Sequence, residues 1–231
     1  MREAYSKATA EILSALENGG ECLDCGANTG HWCQKISSAI DFKKDRYYGV
    51  EWDGASVGEA QGNGLNVQPG DLNKKLPYED EKFTCVFALS VLEHLLNGCH
   101  FIHECRRVLK TGGTLVLLTP NISTYFTALL ILMGKMPSSG PHPDSAFLLK
   151  QEELIKVSSD GLIADPESDT PIHRHLVVFS YRVLRTFLEM NGFSQVLGYG
   201  FGVYPFPNFI QPLMEKIDPY HCHQMVFIAK K

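Results

Sequence analysis

Residues 21–30 read ECLDCGANTG, and residues 47–52 read YYGVEW. The first run is apolar, closes on Asp24 and passes straight into a glycine turn. The second closes on another acid, Glu51. Acids at the ends of successive strand-like runs, the first followed by a tight turn into a helix, describe a nucleotide-type pocket at the carboxyl edge of a parallel sheet. The spacing also disfavours some nucleotides. A dinucleotide fingerprint beginning at Gly26 requires glycines at 28 and 31, where Asn28 and His31 stand. A phosphate-binding P-loop requires Lys after its last glycine, and here His31 follows Gly30. Gly26 and Gly30 remain as fixed points of a turn with Asp24 at its mouth, which suits a nucleoside ligand without a diphosphate.

Around this turn the chain alternates between two periods. Residues 3–17 place Ala4, Ala8, Ile12, Leu13 and Leu16 on one helical face, and Gly19-Gly20 ends that helix. Strands are expected near 21–25, 47–52, 65–71, 85–91 and 114–120, with helices at about 30–40 and 98–110. Beyond Pro120 the rhythm breaks into an apolar run at 125–134, a Pro/Gly/Ser loop and a polar stretch ending in DPESDTP. SYRVLRTFLEMNGF then reads as an amphipathic helix stopped by Asn191-Gly192, with strands near 194–199 and 223–231. Strand–helix alternation with several strands apolar throughout implies an α/β, Rossmann-like doubly wound sheet covered on both faces. One domain over residues 1–231 is expected, with a helical and loop insert after strand five at about 122–172.

The turn LDCGANTG resembles motif I of the class I S-adenosylmethionine-dependent methyltransferases, LDxGxGxG. Leu23, Asp24, Gly26 and Gly30 match, and Asn28, a residue that tolerates positive φ, replaces the middle glycine. GDLNKKLPYEDEKFTCVFALSVLEHL resembles the third and fourth motifs of that family, and RRVLKTGGTLVLLTPN resembles its post-helix turn and fifth strand. TPN, an apolar helix, GKMP and then HLVVFSYRVLRTFLEMNGF resemble a subgroup of the type 11/23 methyltransferases linked to polysaccharide or glycolipid assembly. Val177 stands where that subgroup carries Arg. The resemblance implies seven strands, mostly parallel with the last antiparallel, and S-adenosyl-L-methionine as cofactor. In such a pocket Asp24 suits the ammonium of the methionine moiety, Gly26, Asn28 and Gly30 shape the turn, and Glu51 suits both ribose hydroxyls. Trp52 is placed to stack on adenine, and Asp71 to accept from the adenine amino group with the Leu72 N–H beside it. Leu89 and Ser90 lie where the methionyl chain passes.

Composition narrows the partners. The net charge of −5, with Lys and Arg scattered, marks no basic stripe, so no nucleic-acid partner is expected. Seven cysteines without a regular framework suggest reduced thiols and a cytoplasmic protein. The start, MREAYSKATAEIL, lacks the apolar region of a signal peptide. The run at 125–134 is too short to span a bilayer, so no integral membrane segment is expected. That run reads first as core or pocket wall, with a membrane-touching helix or a homodimer surface as alternatives. Cys22 and Cys25 point to opposite faces of a strand. No strong second pair completes them, Cys99 with His103, or His221-Cys222-His223, so no metal is expected.

Methyl transfer from a sulfonium is an in-line displacement, for which a protein supplies alignment, desolvation and in some cases a base. His94, in VLEHL, and His175, beyond the insert, are the candidate catalytic bases. Their competing reading is packing at a helix start and at a loop-to-helix junction, with Ser180 as N-cap of the helix that follows. The expected function is a methyltransferase acting, at oxygen, on a small-molecule or glycan/lipid-linked acceptor. The alternative, motivated by Asn28 and Val177, is a non-catalytic S-adenosylmethionine-binding regulatory or partner subunit.

Overall fold

The computed structural model describes residues 1–137, 139–151, 164–165, 167–171, 173–207 and 209–231. Its strands are β1 (Cys22–Cys25), β2 (Tyr47–Glu51), β3 (Asn66–Pro69), β4 (Phe83–Leu89), β5 (Leu109–Pro120), β6 (Ser194–Phe201) and β7 (Gln224–Lys230), in one seven-stranded sheet of order β3-β2-β1-β4-β5-β7-β6. The pairs β1–β2, β2–β3, β1–β4 and β4–β5 are parallel, while β7 runs antiparallel to β5 and β6. The last strand is thus antiparallel, as the resemblance implied. From β1 the chain steps outward through β2 to β3, then returns to β4 on the other side. Strand order therefore reverses between β1 and β4, which opens a crevice at their carboxyl ends.

Side-chain alternation explains why the sheet is covered on both faces. Cys22, Cys85, Phe87, Val116, Leu118, Val226 and Ile228 pack with α1 (Arg2–Leu16), α2 (His31–Ala39) and α3 (Gly54–Gly62). Their neighbours Leu23, Cys25, Val86, Ala88, Leu115, Leu117 and Phe227 pack on the opposite face with α4 (Gly98–Val108) and α7 (Tyr181–Met190). Cys22 and Cys25 do fall on opposite faces, and every cysteine is a free thiol, all buried except Cys99. Ser180 caps α7 as expected, accepting from Val183 N.

Among the described residues, helices α3 and α8 (Gln211–Ile217), outside the insert, have no counterpart in the sequence periodicity. The α3 segment, GASVGEAQG, is glycine-rich and only weakly apolar. Asp53 starts it by accepting from Ser56 N at 2.9 Å, and Val57 and Ala60 anchor it to the core. Likewise α8 precedes β7 without burying any residue.

The expected insert contains α5 (Tyr125–Leu132) and α6 (Ala146–Gln151); residues 138, 152–163, 166 and 172 of it lie outside the described residues. Thr124 caps α5, and Thr127 and Leu130 face inward. The reading of 125–134 as core or pocket wall holds only for that inner side. Leu129, Ile131, Leu132 and Met133 face outward, Leu132 being 85% exposed, because only one side of the helix meets the sheet. Buried Asn121 ties the region together. Its Nδ2 donates to the carbonyls of Tyr220 and Cys222, each at 2.8 Å, and its Oδ1 accepts from Ser123 N at 3.0 Å. No helix among the described residues is long and apolar enough to cross a membrane.

Candidate active site

The glycine turn leaves β1 under two constraints. Gly26 has φ 83°, and a Cβ there would lie 2.6 Å from Cγ2 of Val91, in the loop after β4. The N–H groups of Gly26 and Ala27 both donate to the Val50 carbonyl, at 2.9 and 3.2 Å. Asn28 takes the left-handed conformation at φ 47°, and its Oδ1 accepts from Thr29 N at 2.7 Å. Its own N–H donates to Oε2 of Glu51 at 2.9 Å, while Oε1 of Glu51 accepts from Trp52 N at 2.8 Å and Asp53 N at 3.0 Å. The buried Glu51 carboxylate, 7% exposed, thereby clamps the loops that follow β1 and β2. Gly30, φ 81°, serves packing: a Cβ there would collide with Leu65, which fixes the start of α2 against the loop before β3.

Asp24 is 2% exposed and accepts a 2.5 Å hydrogen bond from the Tyr47 hydroxyl. Burial pushes its carboxyl up to about 7, the Tyr47 bond pulls it down, and the nearby Glu51 pushes it up again. Ser90, just past β4, has φ 58°; its N–H donates to the Leu118 carbonyl at 2.8 Å and its hydroxyl pairs with the Tyr5 hydroxyl at 3.0 Å. Helix α1 therefore reaches the crevice through Tyr5, which sequence alone marked only as part of a helix. Trp52 is 78% exposed beside Glu51, so core packing does not explain its indole. Asp71 folds back on its own turn, accepting from Asn73 N at 2.9 Å and Nδ2 at 3.0 Å, with Lys74 at 3.5 Å. Asn73 and Lys74 together hold its carboxyl below the usual range. Leu72 is buried and Leu89 half-buried. A buried acid at the end of β1 and another at the end of β2 fit a ligand with an ammonium at one end and a ribose diol at the other. The exposed indole beside the second acid fits an aromatic base.

Beyond the end of β4, a short 3-10 turn over Leu92–His94 carries two ionisable groups. Glu93 is 2% exposed, and its Oε2 accepts from the Thr119 hydroxyl at 2.9 Å. Burial raises its carboxyl to about 7, against its own backbone N–H and Thr119, which lower it. His94 pairs through Nδ1 with the Arg174 carbonyl at 3.0 Å. The segment 173–177 lies over this turn, held by Leu176 N donating to the Glu93 carbonyl at 2.7 Å. It brings His175 to 5.2 Å and His173 to 6.4 Å from the His94 ring, measured between centroids. His175 pairs through Nδ1 with the Ser139 carbonyl and stacks on His142 at 4.8 Å. Burial is the main cause that lowers the affinity of both His94 and His175 for a proton, with the neighbouring imidazoles adding to it. The structure thus unites the two expected bases. It adds Glu93, Thr119 and His142, of which only Glu93, adjacent to His94, left any signal in the sequence.

A family model described as a methyltransferase domain matches residues 1–197. The chain belongs to this methyltransferase-domain family, and its fold is that of the class I, S-adenosylmethionine-dependent members. It is 29% identical over 109 residues to a probable S-adenosylmethionine-dependent methyltransferase of Mycolicibacterium smegmatis, covering 46% of this chain and 40% of that protein. It is 28% identical over 131 residues to 27-O-demethylrifamycin SV methyltransferase of Amycolatopsis mediterranei, covering 51% and 45%. The chain thus spans about half the length of these curated relatives or less. Among solved structures, an S-adenosylmethionine-dependent methyltransferase of Mesorhizobium loti superposes with TM-score 0.60 at 15% identity, covering 99% of this chain and 98% of that one.

Proposed function

We propose that the protein transfers a methyl group from S-adenosylmethionine to a hydroxyl oxygen of a small-molecule or glycan/lipid-linked acceptor. The cofactor supplies an activated methyl on a sulfonium. Asp24 binds its ammonium, Glu51 its ribose hydroxyls and Trp52 its adenine face. Asp71, beside Leu72, lies at the adenine edge, and Leu89 and Ser90 border the methionyl chain. The observation that carries the acceptor side is the histidine pair over the crevice. Backbone carbonyls occupy Nδ1 of both rings, so the Nδ1–H tautomer is favoured and Nε2 keeps its lone pair. Such imidazoles, neutral near pH 7, suit removal of a proton from an oxygen nucleophile. The name of the rifamycin relative, which carries an oxygen position, supports the same acceptor atom.

His94→Ala and His175→Ala are expected to lower turnover by roughly 10²- to 10⁴-fold while leaving S-adenosylhomocysteine affinity nearly unchanged. Full turnover in both variants would remove the base assignment. A second reading, a cofactor-binding subunit without activity, would show adenosyl binding and no transfer to any acceptor. Free thiols throughout suit a reducing compartment such as the cytoplasm. The outward apolar side of α5 supports a homodimer contact.

A further inference from the structure

We propose that Glu93, His94 and His175 form a binding site for one divalent first-row transition-metal ion. One ligand atom from each of the three lies within 4.8 Å of the other two. Closing on an ion with bonds of about 2.0–2.1 Å needs ligand atoms roughly 3.4 Å apart, so the side chains draw in by little more than an ångström. Both histidines already have the outer contacts that ligating imidazoles carry: Nδ1 bonds a backbone carbonyl, of Arg174 for His94 and of Ser139 for His175. Thr119 holds one oxygen of Glu93 in the same way.

The supporting backbone is fixed as well. Leu176 N donates to the Glu93 carbonyl at 2.7 Å, and His142 N donates to the His175 carbonyl at 2.9 Å. The two segments that supply ligands are therefore tied together before any ion arrives. Among the described residues, none of the ion pairs includes the buried Glu93. Two imidazoles and one carboxylate select Zn²⁺, Mn²⁺ or Fe²⁺ over Mg²⁺ and Ca²⁺, which prefer all-oxygen shells. Three protein ligands also leave a position open.

The role of that open position, unlike the site itself, rests on the methyl-transfer reading. An acceptor hydroxyl there loses its proton more readily. The O–H pair stays on oxygen, and the proton passes to solvent water. Oxygen then bonds the methyl carbon as the C–S pair leaves with sulfur. With the ion bound, the two imidazoles promote ionisation through it; without the ion, their Nε2 lone pairs stay available to accept the proton directly.

The test is calorimetric titration of the full chain, stripped with chelator, with Zn²⁺, Mn²⁺ and Mg²⁺. S-adenosylhomocysteine is titrated in parallel as a control of folding. One equivalent of Zn²⁺ or Mn²⁺ is expected to bind, at least about tenfold tighter than Mg²⁺. Glu93→Gln and His175→Asn are expected to weaken it at least about tenfold while binding S-adenosylhomocysteine as wild type does. Cys99→Ser and His221→Ala, outside the triad, are expected to retain it. Absence of stoichiometric Zn²⁺ or Mn²⁺ binding by wild type, or undiminished binding in folded triad variants, would overturn the site. Metal binding without S-adenosylhomocysteine binding would instead overturn the methyl-transfer reading and leave the site standing.

Discussion

Asn28 occupies a left-handed conformation, φ 47°, in the turn between the two buried acids, and its Oδ1 bonds the next N–H. A local side-chain bond of this kind is what lets Asn replace glycine there. Asn28→Gly is expected to leave stability within a few tenths of a kcal/mol, whereas Asn28→Ala costs about 1 kcal/mol, measured by urea denaturation. Asp24 makes a second expectation, in pH. Its carboxyl, held up to about 7 by burial, takes a proton more readily in the folded chain than in the unfolded one. Its contribution to stability therefore falls as pH rises from about 4 to about 7, where the folded carboxyl ionises. The ammonium of S-adenosylmethionine binds the ionised form. Affinity should then drop as pH falls below about 7 and level off above it, with proton release on binding at pH 6. Titration in buffers of different ionisation enthalpy reads that proton directly, and a pH-independent affinity from 6 to 8 would refute the contact.

Helix α5 is apolar on nearly every side but is anchored on one. Its first turn is fixed by the Thr124 cap and by the Tyr125 hydroxyl, which donates to Asp218 at 2.5 Å while its ring stacks on His221 at 4.6 Å. Ile131 and Leu132 lie on the outward side, 57% and 85% exposed. If two copies meet through this face, Ile131→Lys with Leu132→Lys should shift sedimentation from dimer to monomer without changing the melting temperature of the monomer. A monomeric wild type at tens of micromolar would remove the homodimer contact. The same helix shows where periodicity misleads. YFTALLILMG has no polar face, so sequence reads it first as core or pocket wall, whereas only tertiary contact decides which side is covered. In α3 the error runs the other way, because three glycines hide a helix that Asp53, Val57 and Ala60 secure.

At the scale of the whole molecule, Glu51 joins the loops after β1 and β2 through three backbone N–H groups. The pocket edge is thus built before a ligand enters. S-adenosylhomocysteine at about 100 times its dissociation constant should stabilise the fold by about 2.7 kcal/mol, which for a chain of this size raises the melting temperature by roughly 5–10 °C. Glu51→Ala is expected to abolish that rise, and an equal rise in the variant would contradict its placement in the pocket.

Sequence by itself determined the sheet, the two acids and the turn between them. Those depend on short-range rules: strand alternation, acids at strand ends and the residues a tight turn accepts. It also named His94 and His175, but as separate candidates with packing as their rival reading. Only the tertiary structure placed His175 beside Glu93 and His94, because that meeting depends on how residues 173–177 return over the end of β4. No local periodicity encodes a contact between residues about 80 positions apart. The backbone hydrogen bonds that hold the two segments together, and that fix both imidazole tautomers, form only once the sheet has folded.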